Sequence, residues 1–413
     1  MELNSIKWKL PRVVSFFLSI LLFLSSCNDL PTDIGSNLMN DSVAVFSITN
    51  VDTTILYNTT IPEFKDIGFN TTYNFCGKAN DIEALTLVRF GNLPDTLDYL
   101  TADDIVSAQL FLYPNRYAFG DTNNAVYSFS VKKVENYWSD SANWDSVHTA
   151  GFMGKTLGTH SGAIKLQDTM ERVAIDLDKS FIPEWFQLRT DTSVAAPVIN
   201  WGIALVPDNS SNVVYTYGGE GISTATDNIA PVMKVLYHNK ESELDSIYLY
   251  TGINATFFKA PEIPKDEILF QGGMNIKTNL YFDLSMIPQN SAIASMVLEF
   301  TLDKTKSFFG NLGTIEYFQL SYMIDSVTAS DQYYYYVDKQ DSNKVLFRCN
   351  SVTSAAELWN RDTGKGILQL SSADFEHSYG RLDRYVFYGI NDPDPSKRPK
   401  VRVIYTKQTK IKN

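Results

Sequence analysis

Ile105-Val106-Ser107-Ala108-Gln109-Leu110-Phe111-Leu112 and Ile293-Ala294-Ser295-Met296-Val297-Leu298-Glu299-Phe300 read as two versions of one strand. Ile, Ser and Leu fall at matching places, and Val106, Ala108, Leu110 and Leu112 alternate as a half-buried strand should. Outward from each octapeptide the match continues. Trp185 precedes Trp201-Gly202-Ile203-Ala204-Leu205, and Trp359 precedes Lys365-Gly366-Ile367-Leu368-Gln369-Leu370. Each copy then closes alike, with Pro231-Val232-Met233-Lys234-Val235-Leu236-Tyr237 and Pro399-Lys400-Val401-Arg402-Val403-Ile404-Tyr405. Proline is tolerated at the first residue of a strand, where no ladder N–H is required. This internal repeat predicts an all-β protein of two tandem β-sandwich, jelly-roll-like domains. Their expected spans are 43–239 and 245–407, the second a degenerate repeat of the first, with His238–Leu244 (HNKESEL) as a polar junction.

The rest of the chain agrees with that class. Short runs of Val, Ile, Thr, Tyr and Phe alternate with turn clusters such as Pro207-Asp208-Asn209 and Asn391-Asp392-Pro393. No long amphipathic helix is evident. The best short candidate is Ser180–Leu188 (SFIPEWFQL). Aromatic residues make up 13% of the chain and charged residues only 20%, a balance suited to sheets with aromatic surfaces.

The first residues carry an address. Lys7, Lys9 and Arg12 precede the apolar run Val13–Leu24, which is too short to span a bilayer as a mature helix and suits a signal-peptide core. Leu24-Ser25-Ser26-Cys27 resembles a bacterial lipobox. That resemblance implies a signal peptide over 1–26, cleavage before Cys27, a diacylglycerol thioether on its sulfur, and N-acylation. Each buried acyl CH₂ contributes about 0.8 kcal/mol and one chain anchors only marginally, so two or three chains make the tether effectively permanent. Residues 27–42 are then the lipidated cysteine and a polar tether. Loss of residues 1–26 removes three bases and Glu2, leaving 32 Lys+Arg against 46 Asp+Glu and a charge of −14. Such a surface repels phosphate backbones, so nucleic acid is not an expected partner.

Two cysteines remain, Cys76 and Cys349; they could form one bridge across the chain or stay as two buried thiols. His148, His160, His238 and His377 sit in no metal-binding pattern, and no nucleophile elbow or phosphate-binding loop occurs. No metal, cofactor or catalytic residue is therefore expected. Asp392-Pro393-Asp394 fits a turn better than a calcium loop. Carboxylate pairs for glycoside hydrolysis cannot be placed, because their spacing is three-dimensional.

Two aromatic sets invite a sugar-stacking reading. Trp138 and Trp144 fit better as core residues of the first domain. Tyr333-Tyr334-Tyr335-Tyr336 differs, since alternate strand residues face opposite sides and about two of these rings should face solvent. These four tyrosines are the candidate ligand-binding residues.

A family resemblance enters on Val134-Glu135-Asn136-Tyr137-Trp138-Ser139-Asp140-Ser141-Ala142-Asn143-Trp144, followed by Val173–Leu177, Trp185, Gly202 and Pro231–Tyr237. The succession resembles the disaggregatase-related (DNRLRE-type) β-sandwich domain, which is similar to certain carbohydrate-binding modules. Asp140 and Asn143 stand where that pattern has Glu and Thr, and the second copy lacks the Trp pair. Asp29-Leu30-Pro31-Thr32-Asp33-Ile34-Gly35-Ser36-Asn37-Leu38 resembles the start of Bacteroidota outer-membrane lipoproteins of unknown function. Triplets of Asp, Ser or Thr, and a small or aliphatic residue begin at Asp41, Asp52, Asp95, Asp140, Asp145, Asp168, Asp245 and Asp325. They resemble the O-glycosylation acceptor of that group and are also ordinary turn chemistry. Together these resemblances imply an outer-membrane lipoprotein that binds a glycan or an envelope partner without catalysis. The alternatives are a glycan hydrolase or lyase, and a structural subunit of an envelope complex.

Overall fold

The computed structural model describes residues 42–409, apart from 51–53, 62–67, 70, 92, 167–171, 188–199, 220–222, 225–226, 229, 260, 264–266, 290, 342–344 and 374–378. The signal peptide, Cys27 and nearly all of the tether thus lie outside the described residues, as does His377.

The chain is all-β and sandwich-like. It opens with β1 (Ser42–Thr49) and β2 (Leu56–Thr60). A first series follows: β3 (Gly68–Phe69), β4 (Tyr73–Ala79), β5 (Ile82–Phe90), β6 (Ile105–Leu112), β7 (Pro114–Gly120) and β8 (Ser128–Val134). It continues with β9 (Met153–Ser161), β10 (Val173–Leu177), β11 (Ile203–Pro207) and β12 (Val213–Gly218). Then come β13 (Ser223–Thr224), β14 (Asp227–Asn228), β15 (Val232–His238) and the long β16 (Leu244–Phe258). The second series is β17 (Ile268–Gln271), β18 (Thr278–Asp283), β19 (Ala292–Thr301), β20 (Tyr317–Met323) and β21 (Ala329–Lys339). It ends with β22 (Leu346–Cys349), β23 (Lys365–Ser371), β24 (Arg384–Phe387) and β25 (Lys400–Thr409).

The repeat is visible in the strand order. One large sheet runs β10-β6-β15-β16-β5-β11-β8-β9, and the other runs β1-β25-β19-β22-β21-β20-β23-β18-β2. Thus β15-β6-β10 matches β25-β19-β22, and β9-β8-β11-β5 matches β21-β20-β23-β18. The pair β4·β12 likewise matches β17·β24. The expected Trp falls in the helix Ile182–Gln187 of the first unit, and in the helix Thr353–Arg361 of the second, which the sequence reading did not identify. The repeated glycine is needed in both copies. Gly202 has φ +87 and its Cβ would overlap the Val88 backbone, while a Cβ on Gly366 would overlap the Trp359 indole.

The domain boundaries need correction. β16 closes the first unit by pairing β15 along its first half and β5 along its second. In the second unit β1 pairs β25 and β2 pairs β18. The strands β1 and β2, which the span 43–239 assigns to the first domain apart from Ser42, therefore complete the second, and Leu244–Phe258 completes the first. The polar His238–Leu244 stretch is a hairpin turn between β15 and β16, not a linker. Asn239 N–H donates to Glu243 O at 2.8 Å, and the Asn239 side chain accepts from the Glu241 and Glu243 amides at 3.0 and 2.9 Å. A polar stretch looks the same in sequence whether it joins paired strands or separate domains; only the register tells them apart.

The two units share a junction. Phe75, Phe119, Val214 and Phe258 of the first form one buried cluster with Leu269, Met274, Leu382 and Val386 of the second. A polar set lies beside it. The Tyr117 hydroxyl donates to Asp383 Oδ1 at 2.9 Å and accepts from the Leu382 amide at 2.9 Å, and Arg384 Nη1 reaches Asp81 Oδ2 at 2.8 Å. Burial and the neighbouring Asp383 raise the Tyr117 pKa well above that of an ordinary phenol.

Candidate functional site

The site is built on the hairpin of β20 and β21. Phe318, Leu320, Tyr335 and Val337 turn inward into the second core. Period-2 alternation then sends Tyr317, Gln319 and Ser321 outward from β20, and Tyr334 and Tyr336 outward from β21. The antiparallel register sets Gln319 opposite Tyr336 and Ser321 opposite Tyr334. The Tyr334 and Tyr336 centroids are 5.7 Å apart, and Tyr317 meets Tyr336 edge-on at 5.5 Å. These rings are 51%, 45% and 43% exposed for Tyr334, Tyr336 and Tyr317. Gln319 Nε2 donates to Ser321 Oγ at 2.9 Å between them.

The four candidate tyrosines are thus divided. Tyr334 and Tyr336 form the outward pair. Tyr335 is 6% exposed and its hydroxyl bonds Ser354 Oγ at 3.0 Å, so it belongs to the core and leaves the binding set; burial raises its pKa. Tyr333 sits on the other side of the strand, against Tyr322 at 5.9 Å, and Tyr322 in turn stacks on Trp359.

The outward face continues in both directions. Towards β2, Ser321 lies opposite Gln369, and Gln369 Nε2 donates to Asn279 Oδ1 at 2.9 Å. Tyr281 and Tyr57 extend the aromatic surface there, with centroids 6.3 Å apart. Towards β1, Asp338, Arg348, Glu299 and Lys400 stand in one lateral row across four strands. Arg348 Nε donates to Glu299 Oε1 at 2.7 Å. A cleft of about 250 Å³ opens here, lined by Thr49, Val297, Glu299, Arg348, Lys400 and Arg402 among others.

Sequence reasoning missed Tyr317, Gln319 and the charged row. Alternation in YFQLSYM does put Tyr317, Gln319 and Ser321 on one face. What brings them beside Tyr334 and Tyr336, and Arg348 beside Lys400, is cross-strand register between distant segments, which leaves no local signal.

The other candidates are structural. Trp138 is 3% exposed, with its indole N–H donating to Trp201 O at 2.8 Å. Trp144 is half-buried and lies 4.2 Å from the His148 ring. Cys76 and Cys349 are both buried and unpaired, in separate cores. Burial pushes the Cys76 thiol up to about 12 and also raises Cys349, so neither is a ready nucleophile. Asp392 and Asp394 accept amide hydrogen bonds within their own turn, at 2.9 Å from Asp394 and 3.0 Å from Ser396. Asp325 likewise holds the Val327 and Thr328 amides at an exposed hairpin tip. Among the described residues, no group of three or more His, Cys, Asp and Glu is placed to hold a metal, and no helix is long and apolar enough to cross a membrane.

No family model matches this chain, and no curated protein matches it.

Proposed function

We propose that this protein is a lipid-anchored cell-envelope lipoprotein that binds a glycan, without catalysis, through the outward face of β20 and β21. The observation that carries the reading is the cluster of Tyr317, Tyr334 and Tyr336, three neighbouring rings about half exposed on a paired sheet. A tyrosine offers an apolar face to the C–H side of a pyranose and a hydroxyl to its rim, at a cost of two side-chain torsions. Gln319, Ser321 and Gln369 supply amide and hydroxyl groups at the level of the rings. Their backbone is fixed by strand pairing on both sides, so little ordering remains for binding to impose.

The anchor half of the proposal rests on the lipobox at Cys27. Cys27 and Ser42 are 15 positions apart, so the tether spans at most about 50 Å when extended. The test uses the chain from Asn28 onward, which retains every described residue, on an array of neutral and acidic glycans. Binding that Tyr334→Ala with Tyr336→Ala abolishes, at unchanged melting temperature, is the expected result. Retained binding in that variant would move the site elsewhere.

A further inference from the structure

The charged row beside the tyrosines does not fit a merely solvated face. The chain carries a net charge of −12, yet the cleft gathers Arg348, Lys400 and Arg402 around one carboxylate, Glu299. Arg348 is engaged with Glu299. Lys400 and Arg402 face outward from β25, and among the described residues they form no ion pair. With Asp338 counted at the far end of the row, three bases still outnumber two carboxylates, a local positive excess in a protein with acid to spare.

Register places this cleft next to the aromatic rings. Lys400 pairs Glu299, Glu299 pairs Arg348, and Arg348 pairs Asp338. Tyr336 is two residues before Asp338 on the same outward side of β21. Neighbouring strands lie about 4.8 Å apart, so the row from Asp338 to Lys400 covers roughly 14 Å. That is the reach of a short oligosaccharide lying across the strands.

We infer that the cleft of Arg348, Lys400 and Arg402 is an anion subsite that takes the carboxylate of a uronic-acid residue, while Tyr334 and Tyr336 hold the adjoining sugars of the same glycan. This rests on the glycan reading above and narrows its ligand to acidic sugars. Arg348 already donates through Nε and Nη2 to Glu299, so the Arg402 fork is the one that matches a planar carboxylate, and a charge-assisted contact is about twice as strong as a neutral one. The strongly acidic remainder of the surface works against long polyanions. It favours a short acidic oligosaccharide.

The test compares trigalacturonate with its methyl ester, which has the same rings and no charge, by calorimetry on the chain from Asn28 onward. The acid is expected to bind at least tenfold tighter than the ester. Lys400→Gln with Arg402→Gln is expected to remove that difference and leave ester binding unchanged. Both residues are exposed, so the fold is retained. Equal affinity for acid and ester in the unmodified protein would overturn the anion subsite and leave the glycan reading standing. A second readout separates the two further: NMR of the arginine Nε–H groups during titration with free galacturonate, against acetate at equal ionic strength. Shifts of Arg348 and Arg402 with galacturonate but not acetate, without binding of either trisaccharide, support a sugar-acid site and sink the tyrosine platform. No shift with galacturonate, or equal shifts with both anions, overturns the inference.

Discussion

Asp383→Ala tests the junction between the two units. Asp383 is 4% exposed. Its Oδ1 accepts from Tyr117 Oη at 2.9 Å and from the Gly310 amide at 2.7 Å, and its Oδ2 meets Arg381 Nη2 at 2.7 Å. Arg381 is itself 5% exposed and its Nη2 also donates to Gly313 O at 2.6 Å, so removing the carboxylate takes one anionic partner from a buried cation. Breaking a buried pair in this way costs about 3–5 kcal/mol. The orphaned Tyr117 hydroxyl and Gly310 amide act on the same network, so their losses do not simply add. Against a typical total of about 5–15 kcal/mol, this is a large fraction of the stability. Asp383→Asn keeps the Oδ1 acceptor for Tyr117 and Gly310 but puts an NH2 donor where Oδ2 meets Arg381; the expected cost is about 2 kcal/mol, as for hydrogen bonds to charged groups. The assay is urea unfolding followed by tryptophan fluorescence, which reports Trp138, Trp144, Trp185 and Trp201 in the first unit and Trp359 in the second. Because the junction cluster draws from both units, Asp383→Ala should split the transition as well as shift it. The exposed pair Arg361–Glu357, 3.9 Å apart, serves as control, and Glu357→Ala should move stability by no more than about 0.5 kcal/mol. If Asp383→Ala behaves like that control, the junction does not hold the units together.

Tyr334→Ala with Tyr336→Ala should shift stability by no more than about 0.5 kcal/mol per site while removing glycan binding, read by thermal melting and calorimetry on one preparation. Trp138→Ala should cost about 3–5 kcal/mol, because the ring is buried and its N–H bonded, and urea unfolding would show it. Native Cys76 should resist iodoacetamide at pH 8 and react once urea unfolds the chain, since its pKa lies near 12; mass spectrometry of the alkylated peptide decides this. Asp178 is held at about 2 by the Ser180 amide and Lys155. A depressed carboxyl stabilises the fold above its unfolded value and loses that contribution as pH falls through the folded one. Asp178→Asn should therefore be less stable than the parent chain above about pH 4, and the gap should close towards pH 2.

Much of the fold was legible because strand burial leaves a local trace. The Ile105–Leu112 and Ile293–Phe300 octapeptides, the repeated glycine and the proline-led closing strands all mark positions that packing constrains in both copies. The partner of each strand was not legible. Nothing in Ser42–Thr49 states that it will pair Lys400–Thr409 and not a strand of its own neighbourhood. The same holds for the site. Alternation correctly divides the Tyr333–Tyr336 run between two faces, yet it cannot tell which face is covered, and only the fold puts Tyr335 in the core. Arg348, Glu299, Lys400 and Arg402 are ordinary strand charges until register gathers them. The helix Thr353–Arg361 escaped notice because it is short and its buried residues are mainly two alanines and a tryptophan.

Hydrogen–deuterium exchange with and without the glycan that binds best tests the central claim most directly. Amide exchange in Tyr317–Met323 and Ala329–Lys339 should slow on binding, since a ligand across these strands suppresses their opening. The first unit should be unchanged, and Tyr334→Ala with Tyr336→Ala should abolish the protection. Protection confined to the first unit around Trp138, Trp144 and Trp201, with β20 and β21 unaffected, would contradict the assignment of the binding face.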